Sequence, residues 1–236
     1  MFEFSQEVIS VFSERSDGNM SLNHGDVSMS LENRNNFLGK FKINPAYLVC
    51  AKQVHSSNIV CVRETDRGKG AFNYETAIEA TDALVTDQPQ MALAVFTADC
   101  LPIFLYDQER SVIGLVHAGW RSTCEHIVKN TVKMMQDNFF INPKRLQVYF
   151  GPAIRSCCYE VEEKMNRYFS YGLQKRDGTY YLDIIEVNKA QLFDAGIIKY
   201  NIIDSGICTS CQNHRFFSFR KEGKSCGRMI SVIMLR

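Results

Sequence analysis

Cys100 and His117 are the residues of this 236-residue chain whose surroundings point most clearly to chemistry. Each follows an apolar run. Met91–Phe96 leads into Thr97-Ala98-Asp99-Cys100-Leu101-Pro102, and Val112–Val116 leads into His117-Ala118-Gly119-Trp120-Arg121. Runs of this kind read as buried strands, and layered α/β proteins place reactive groups where such strands end. His55, in the polar stretch Lys52–Asn58, is a third candidate. Two imidazoles and a thiolate with the fourth position open form a donor set of the type catalytic zinc uses. The separations along the chain are long, so only the fold can bring the three together.

Other readings of the same residues stand beside this one. Cys100 could be a nucleophile with His117 or His55 as its base, as in a cysteine hydrolase or transferase. A lone histidine in a polar turn is also commonly a surface or capping residue. The three could instead hold a purely structural metal, which would normally close with a fourth protein ligand such as Cys208.

The elements that must position these residues are short. Strand patterns cover residues 7–12, 47–51, 59–63, 81–86, 146–150, 197–203, 215–220 and 229–235. Helical character marks 28–38, a stretch after Cys157–Glu162 that runs through Phe169, and Glu186–Ala195, which stops at Gly196. Ser122-x-x-Glu125 has the form of a capping box and should open a helix with Ile127, Val128, Thr131, Val132 and Met135 on one face. Tyr171–Thr179 reads as a loop. No linker or repeat interrupts the chain, so residues 1–236 are expected to form a single domain of mixed α/β class.

Composition narrows the function. The charges nearly cancel, for a net +1, and no basic run suggests a nucleic-acid or membrane surface. No apolar run approaches the roughly 18 residues of a membrane span. The N-terminal Met1–Glu7 is acidic, unlike a secretory signal. Nine cysteines, an odd number among apolar neighbours, fit reduced thiols and a cytoplasmic location. Cys208-Thr209-Ser210-Cys211 stands without a second such pair, so it reads as structural or incidental thiols.

Taken together, several segments resemble one family. They are Gln53-Val54-His55, Thr97–Pro102, His117–Arg121, Gly151-Pro152-Ala153-Ile154 before Tyr159-Glu160-Val161, Cys208-Thr209, Phe216–Arg220 and Gly227-Arg228-Met229. In this order they are similar to the YfiH family, labelled multicopper polyphenol oxidoreductase (laccase) and recognised as purine nucleoside phosphorylases. The resemblance implies a layered α/β/β/α sandwich with His55, Cys100 and His117 as metal ligands. It implies phosphorolysis of adenosine, inosine and methylthioadenosine, and deamination of adenosine. The chain departs from the family's pattern at Asp17–Ser21, where a paired-glycine loop is common, and at Ser122, where glycine is common.

The laccase label suits the composition poorly, because multicopper oxidation needs many histidine ligands and the chain has five histidines. Copper would nonetheless compete strongly with zinc for a His/Cys/His site. Deamination follows from what zinc does, which is to lower the pKa of bound water toward about 7. It also needs an acid for the ring nitrogen and the leaving amine, with Asp99 or Glu160 as candidates. Phosphorolysis needs cations for phosphate, and Arg15, Arg34, Arg121 and the helix start after Ser122 are the candidates.

Overall fold

The computed structural model describes residues 4–236. In chain order its elements begin with β1 (Val8–Phe12), α1 (Val27–Gly39), β2 (Leu48–Cys50), β3 (Ile59–Cys61), β4 (Ala83–Thr86) and β5 (Ala92–Thr97). They continue with β6 (Leu101–Asp107), β7 (Val112–Ala118), α2 (Trp120–Cys124), α3 (Ile127–Phe139), β8 (Gln147–Phe150) and β9 (Glu160–Val161). The last are β10 (Leu173–Arg176), β11 (Thr179–Leu182), α4 (Ile184–Asp194), β12 (Ile202–Asp204), α5 (Phe219–Glu222) and β13 (Met229–Leu235).

Two large mixed sheets carry the fold. One has the order β1-β13-β5-β2 and the other β12-β8-β6-β7-β4-β3, while β10-β11-β9 form a small third sheet. Every residue of β6 and β7 is buried, because both faces of their sheet are covered. Successive side chains point to opposite faces. On β6, Ile103 and Leu105 join Val128, Val132 and Met135 of α3, whereas Phe104 and Tyr106 meet Leu93, Val95 and Ile233 of the other sheet. The alternation repeats on that second sheet, where Ala92, Ala94, Ile230 and Val232 face Phe37 and Leu38 of α1. The layers are therefore helix, four-stranded sheet, six-stranded sheet, helices, which is the α/β/β/α sandwich expected. Each fully buried valine, leucine or phenylalanine contributes about 1.5–3 kcal/mol.

Several local expectations need correction. The helix does not open at Ser122. α2 starts after Gly119, and the Ser122 hydroxyl turns back to accept from the Gly119 N–H at 2.9 Å. The chain then breaks at His126 (φ +60°) before α3 begins, so α2 and α3 are separate helices. The stretch leading from Cys157 holds the short β9, and the helix expected between Glu162 and Phe169 is a 3-10 turn over Glu163–Arg167. Tyr171–Thr179 is mostly hairpin: Asp177 and Gly178, both at positive φ, join β10 to β11. Its exposed Leu-Gln-Lys-Arg strand lacks the apolar alternation that would mark it. Residues 197–203 hold a 3-10 turn before β12, and 215–220 turn into α5. Among the described residues no helix is long and apolar enough to cross a membrane.

Candidate active site and metal centre

Cys100 sits where the chain passes from one sheet to the other, between β5 of the four-stranded sheet and β6 of the six-stranded one. Asp99 makes that turn with φ +86°. Its main-chain oxygen accepts from Ile154 N at 2.9 Å. Its carboxylate accepts from the Thr209 hydroxyl at 2.6 Å and from Arg220 N at 2.7 Å. Asp99 therefore pins the corner from behind.

His117 lies near the end of β7 and is buried, and His55 sits in a turn with φ +61°. One carboxylate holds both. Asp82 accepts from the main-chain N–H groups of Val54, His55 and Ser56 at 3.2, 3.0 and 2.7 Å, and from the Ser56 hydroxyl at 3.0 Å. It also meets His117 Nδ1 at 2.8 Å, which leaves Nε2 of that ring for other work. A carboxylate behind a histidine is the usual support of a metal-ligating imidazole, fixing its tautomer and orientation. Burial pushes the Asp82 carboxyl up, but the bonds from His117 and Ser56 outweigh it and hold it below its ordinary value.

The ligand atoms of His55, Cys100 and His117 lie within 4.8 Å of one another, with Cys100 Sγ 3.8 Å from His55 Nε2. The two imidazoles meet edge to face, centroids 4.8 Å apart. Gly119 leaves them room. A Cβ there would sit 2.8 Å from His55 Cδ2 and 3.2 Å from Cys100 Sγ. Burial pushes the Cys100 thiol up, yet the adjacent His117 and His55 bring it down to about 6. Burial likewise pushes His117 down, and Cys100 and Asp82 reverse it to about 9. The donors fit a zinc-type cation, because the thiolate is already favoured and binding need only displace the imidazole proton.

The three open into a cavity of about 870 Å³ that Arg34, Arg121, Tyr159 and Glu160 also line. Sequence comparison places the chain in a family. The family described as multi-copper polyphenol oxidoreductase laccase matches residues 6–236. The chain belongs to this laccase family. A relative from Geobacillus stearothermophilus, purine nucleoside phosphorylase YlmD, is 36% identical over 225 residues, covering 91% of this chain and 82% of its own. Adenosine deaminase RL5, from an unknown prokaryotic organism, is 33% identical over 79% of this chain and 74% of its own. The crystal structure of the hypothetical protein YfiH from Bacillus licheniformis superposes with a TM-score of 0.94. Its identity is 34%, covering 97% of this chain and 93% of that one.

Within this laccase-family cavity the remaining candidates divide. Arg34 is buried, donating from Nε to Met20 O at 2.6 Å and from Nη1 to Gly70 O and Ala71 O at 2.9 and 2.8 Å. Its guanidinium lies over Phe96 at 4.6 Å, and Nη2 makes no bond among the described residues. Arg121 stacks on Trp120 at 4.4 Å and has no ion pair among the described residues. Glu160 is exposed on the wall, while both Asp99 oxygens are already taken by Thr209 and Arg220. Arg15 needs correction as a substrate ligand. It does not line the cavity, and its guanidinium is held by Glu222 at 2.5 Å and by the Asn213 and Phe216 carbonyls.

Sequence reasoning missed Asp82, Tyr159, Arg220 and Arg228. The two arginines line the cavity from the C-terminal segments, and Arg220 donates to Glu160 O at 2.8 Å. Their only signal was membership of the Phe216–Arg220 and Gly227–Met229 segments that carry the family resemblance. Asp82 gave no signal beyond being an acidic residue at the foot of a buried strand.

Proposed function

We propose that this protein is a zinc-dependent purine nucleoside enzyme whose residues 1–236 act as one cytoplasmic domain. It phosphorolyses adenosine, inosine and methylthioadenosine to the free base and the ribose 1-phosphate, and it deaminates adenosine to inosine. The observation that carries this reading is one cavity lined both by the His55/Cys100/His117 donors and by two guanidinium groups with unspent donors. The names of the relatives, phosphorylase and deaminase, support the substrate class.

The chain's own residues divide the labour. Arg34 and Arg121 hold phosphate by charge-assisted hydrogen bonds, so that its oxygen attacks C1′ as the bond to the base breaks. Glu160 gives a proton to the purine as the base or the amine leaves. Asp82 keeps the His117 ring turned toward the site. Asp99 anchors the corner that carries Cys100. Zinc held by the three donors supplies a Lewis acid and an activated water at neutral pH.

Copper at the same donors accounts for any trace polyphenol oxidation, since copper binds such sites more tightly. Among the described residues only one group of metal-type ligands contains histidine, which disfavours a multicopper centre. One observation favours a second reading. The Cys100 thiol at about 6 is that of a poised nucleophile, so a Cys–His hydrolase remains the competing mechanism.

Incubating the purified protein with adenosine, with and without phosphate, tests the proposal. Inosine should form in both, and adenine with ribose 1-phosphate only when phosphate is present. Arg121→Ala sharpens it. Losing a charge-assisted hydrogen bond to a bound anion costs about 1.5–3 kcal/mol, roughly 10- to 150-fold in affinity. The variant should raise the KM for phosphate by that factor and spare deamination. Equal loss of adenine and inosine across a phosphate titration would reduce Arg121 to a support for the Gly-Trp corner.

A further inference from the structure

A second cluster of ligand-type side chains lies outside the cavity. The sulfurs of Cys157, Cys158, Cys208 and Cys211 all fall within 4.8 Å of one another. Cys211 Sγ is 3.5 Å from that of Cys157 and 3.3 Å from that of Cys158. The sequence disguises this grouping, because the partners of the Cys-x-x-Cys are two adjacent cysteines 54 and 53 positions before Cys211. The expectation of incidental thiols rested on the lack of a second pair. The fold supplies one.

We propose that these four cysteines form a closed tetrathiolate site for one zinc-type divalent cation, separate from the His55/Cys100/His117 centre. Closed tetrahedral Cys₄ is one of the patterns of a structural zinc site, with Zn–S bonds near 2.3 Å. Such bonds set neighbouring sulfurs about 3.8 Å apart, close to the spacings already present. Backbone bonds tie together the segments that carry the four cysteines. Ala153 and Cys208 form a parallel bridge, Thr209 N donates to Ala153 O at 3.1 Å, and Gln212 N donates to Cys208 O at 3.0 Å. On the other side, Cys158 N and Tyr159 N both donate to Arg155 O at 2.8 Å.

Four thiolates around a divalent cation would give a site of net charge −2. Two arginines border it: Arg155, which pairs with Asp204, donates from Nε to Ile207 O at 3.1 Å, and the Arg176 guanidinium donates to Ser156 O.

The site's position gives it a task. It clips the loop bearing Tyr159 and Glu160 to the segment bearing Thr209, whose hydroxyl holds Asp99 beside Cys100. The ion would set one wall of the cavity without touching substrate.

The test is a zinc count on reduced, zinc-replete protein after removal of loosely held metal. Cys211→Ser and Cys157→Ser should each hold one equivalent less than the wild type, whereas Cys100→Ser should keep this ion. The difference is independent of what happens at Cys100 or of any nucleoside activity. The wild type alone provides a second measurement, should the variants fold poorly. With cobalt in place of zinc it should show the intense sulfur-to-metal absorption of a four-thiolate site. Equal zinc in wild type and folded Cys211→Ser overturns the proposal. So does cobalt absorption no stronger than one thiolate explains, or a Cys158–Cys211 disulfide in the reduced preparation.

Discussion

Asp82→Ala is expected to unfold the centre locally and lower global stability by about 3–5 kcal/mol, the usual cost of removing one partner from a buried charged pair. The carboxylate is almost fully buried and is the shared acceptor for Val54, His55, Ser56 and His117. Truncation leaves three N–H groups and one imidazole without an acceptor, and a buried orphan donor costs about 1–3 kcal/mol. Asp82→Asn separates stability from chemistry. It preserves volume but turns an amide N–H₂ toward groups that are themselves donors, and it no longer fixes the His117 tautomer. Zinc affinity should fall by roughly 10- to 100-fold, the range for losing a carboxylate behind a ligating histidine. Urea unfolding and a chelator competition on the same preparation measure the two quantities. A folded Asp82→Asn protein with wild-type zinc affinity would mean that Asp82 merely shapes the 54–56 turn.

That Asp82 went unread marks the boundary of what the sequence could reveal. Strand character was legible where a strand is buried along its length, as at β5, β7 and β13, because burial writes a continuous apolar run. The exposed β10–β11 hairpin carries no such run and passed for a loop. Cys100 and His117 were legible because each interrupts an apolar segment with a polar group. Their convergence with His55 was not, since it depends on β5 and β6 lying in different sheets and on the Asp82 bonds that fold the 54–56 turn inward. Of the arginines offered for phosphate, Arg34 is drawn inward by three main-chain carbonyls and lines the cavity, whereas Arg15 is spent on Glu222. The cysteine cluster shows the converse, a ligand set hidden because its halves are far apart in sequence and differ in spacing.

Cys100→Ser is expected to abolish metal binding at the centre and both nucleoside activities together. A serine hydroxyl is smaller than the thiol, so it fits beside Gly119 without strain, and the fold should survive. It is not a thiolate, however, and the two histidines alone make a poor site for zinc, which takes three protein ligands in catalytic sites. The loss should exceed the roughly 10- to 100-fold expected for losing a carboxylate behind a ligand, and excess zinc should restore little. The mechanism with Cys100 as covalent nucleophile gives opposite readings. There the variant keeps its metal while losing turnover, and the wild type accumulates an adduct heavier by the transferred group when quenched during reaction. Metal analysis of the variant and intact-mass measurement of the quenched wild type decide between them. The thiol at about 6 suits either role. The three donor atoms within 4.8 Å and the carboxylate behind His117 favour the ligand, since a nucleophile would need only one of the two imidazoles. An adduct on Cys100 in a protein that retains zinc would reverse that assignment.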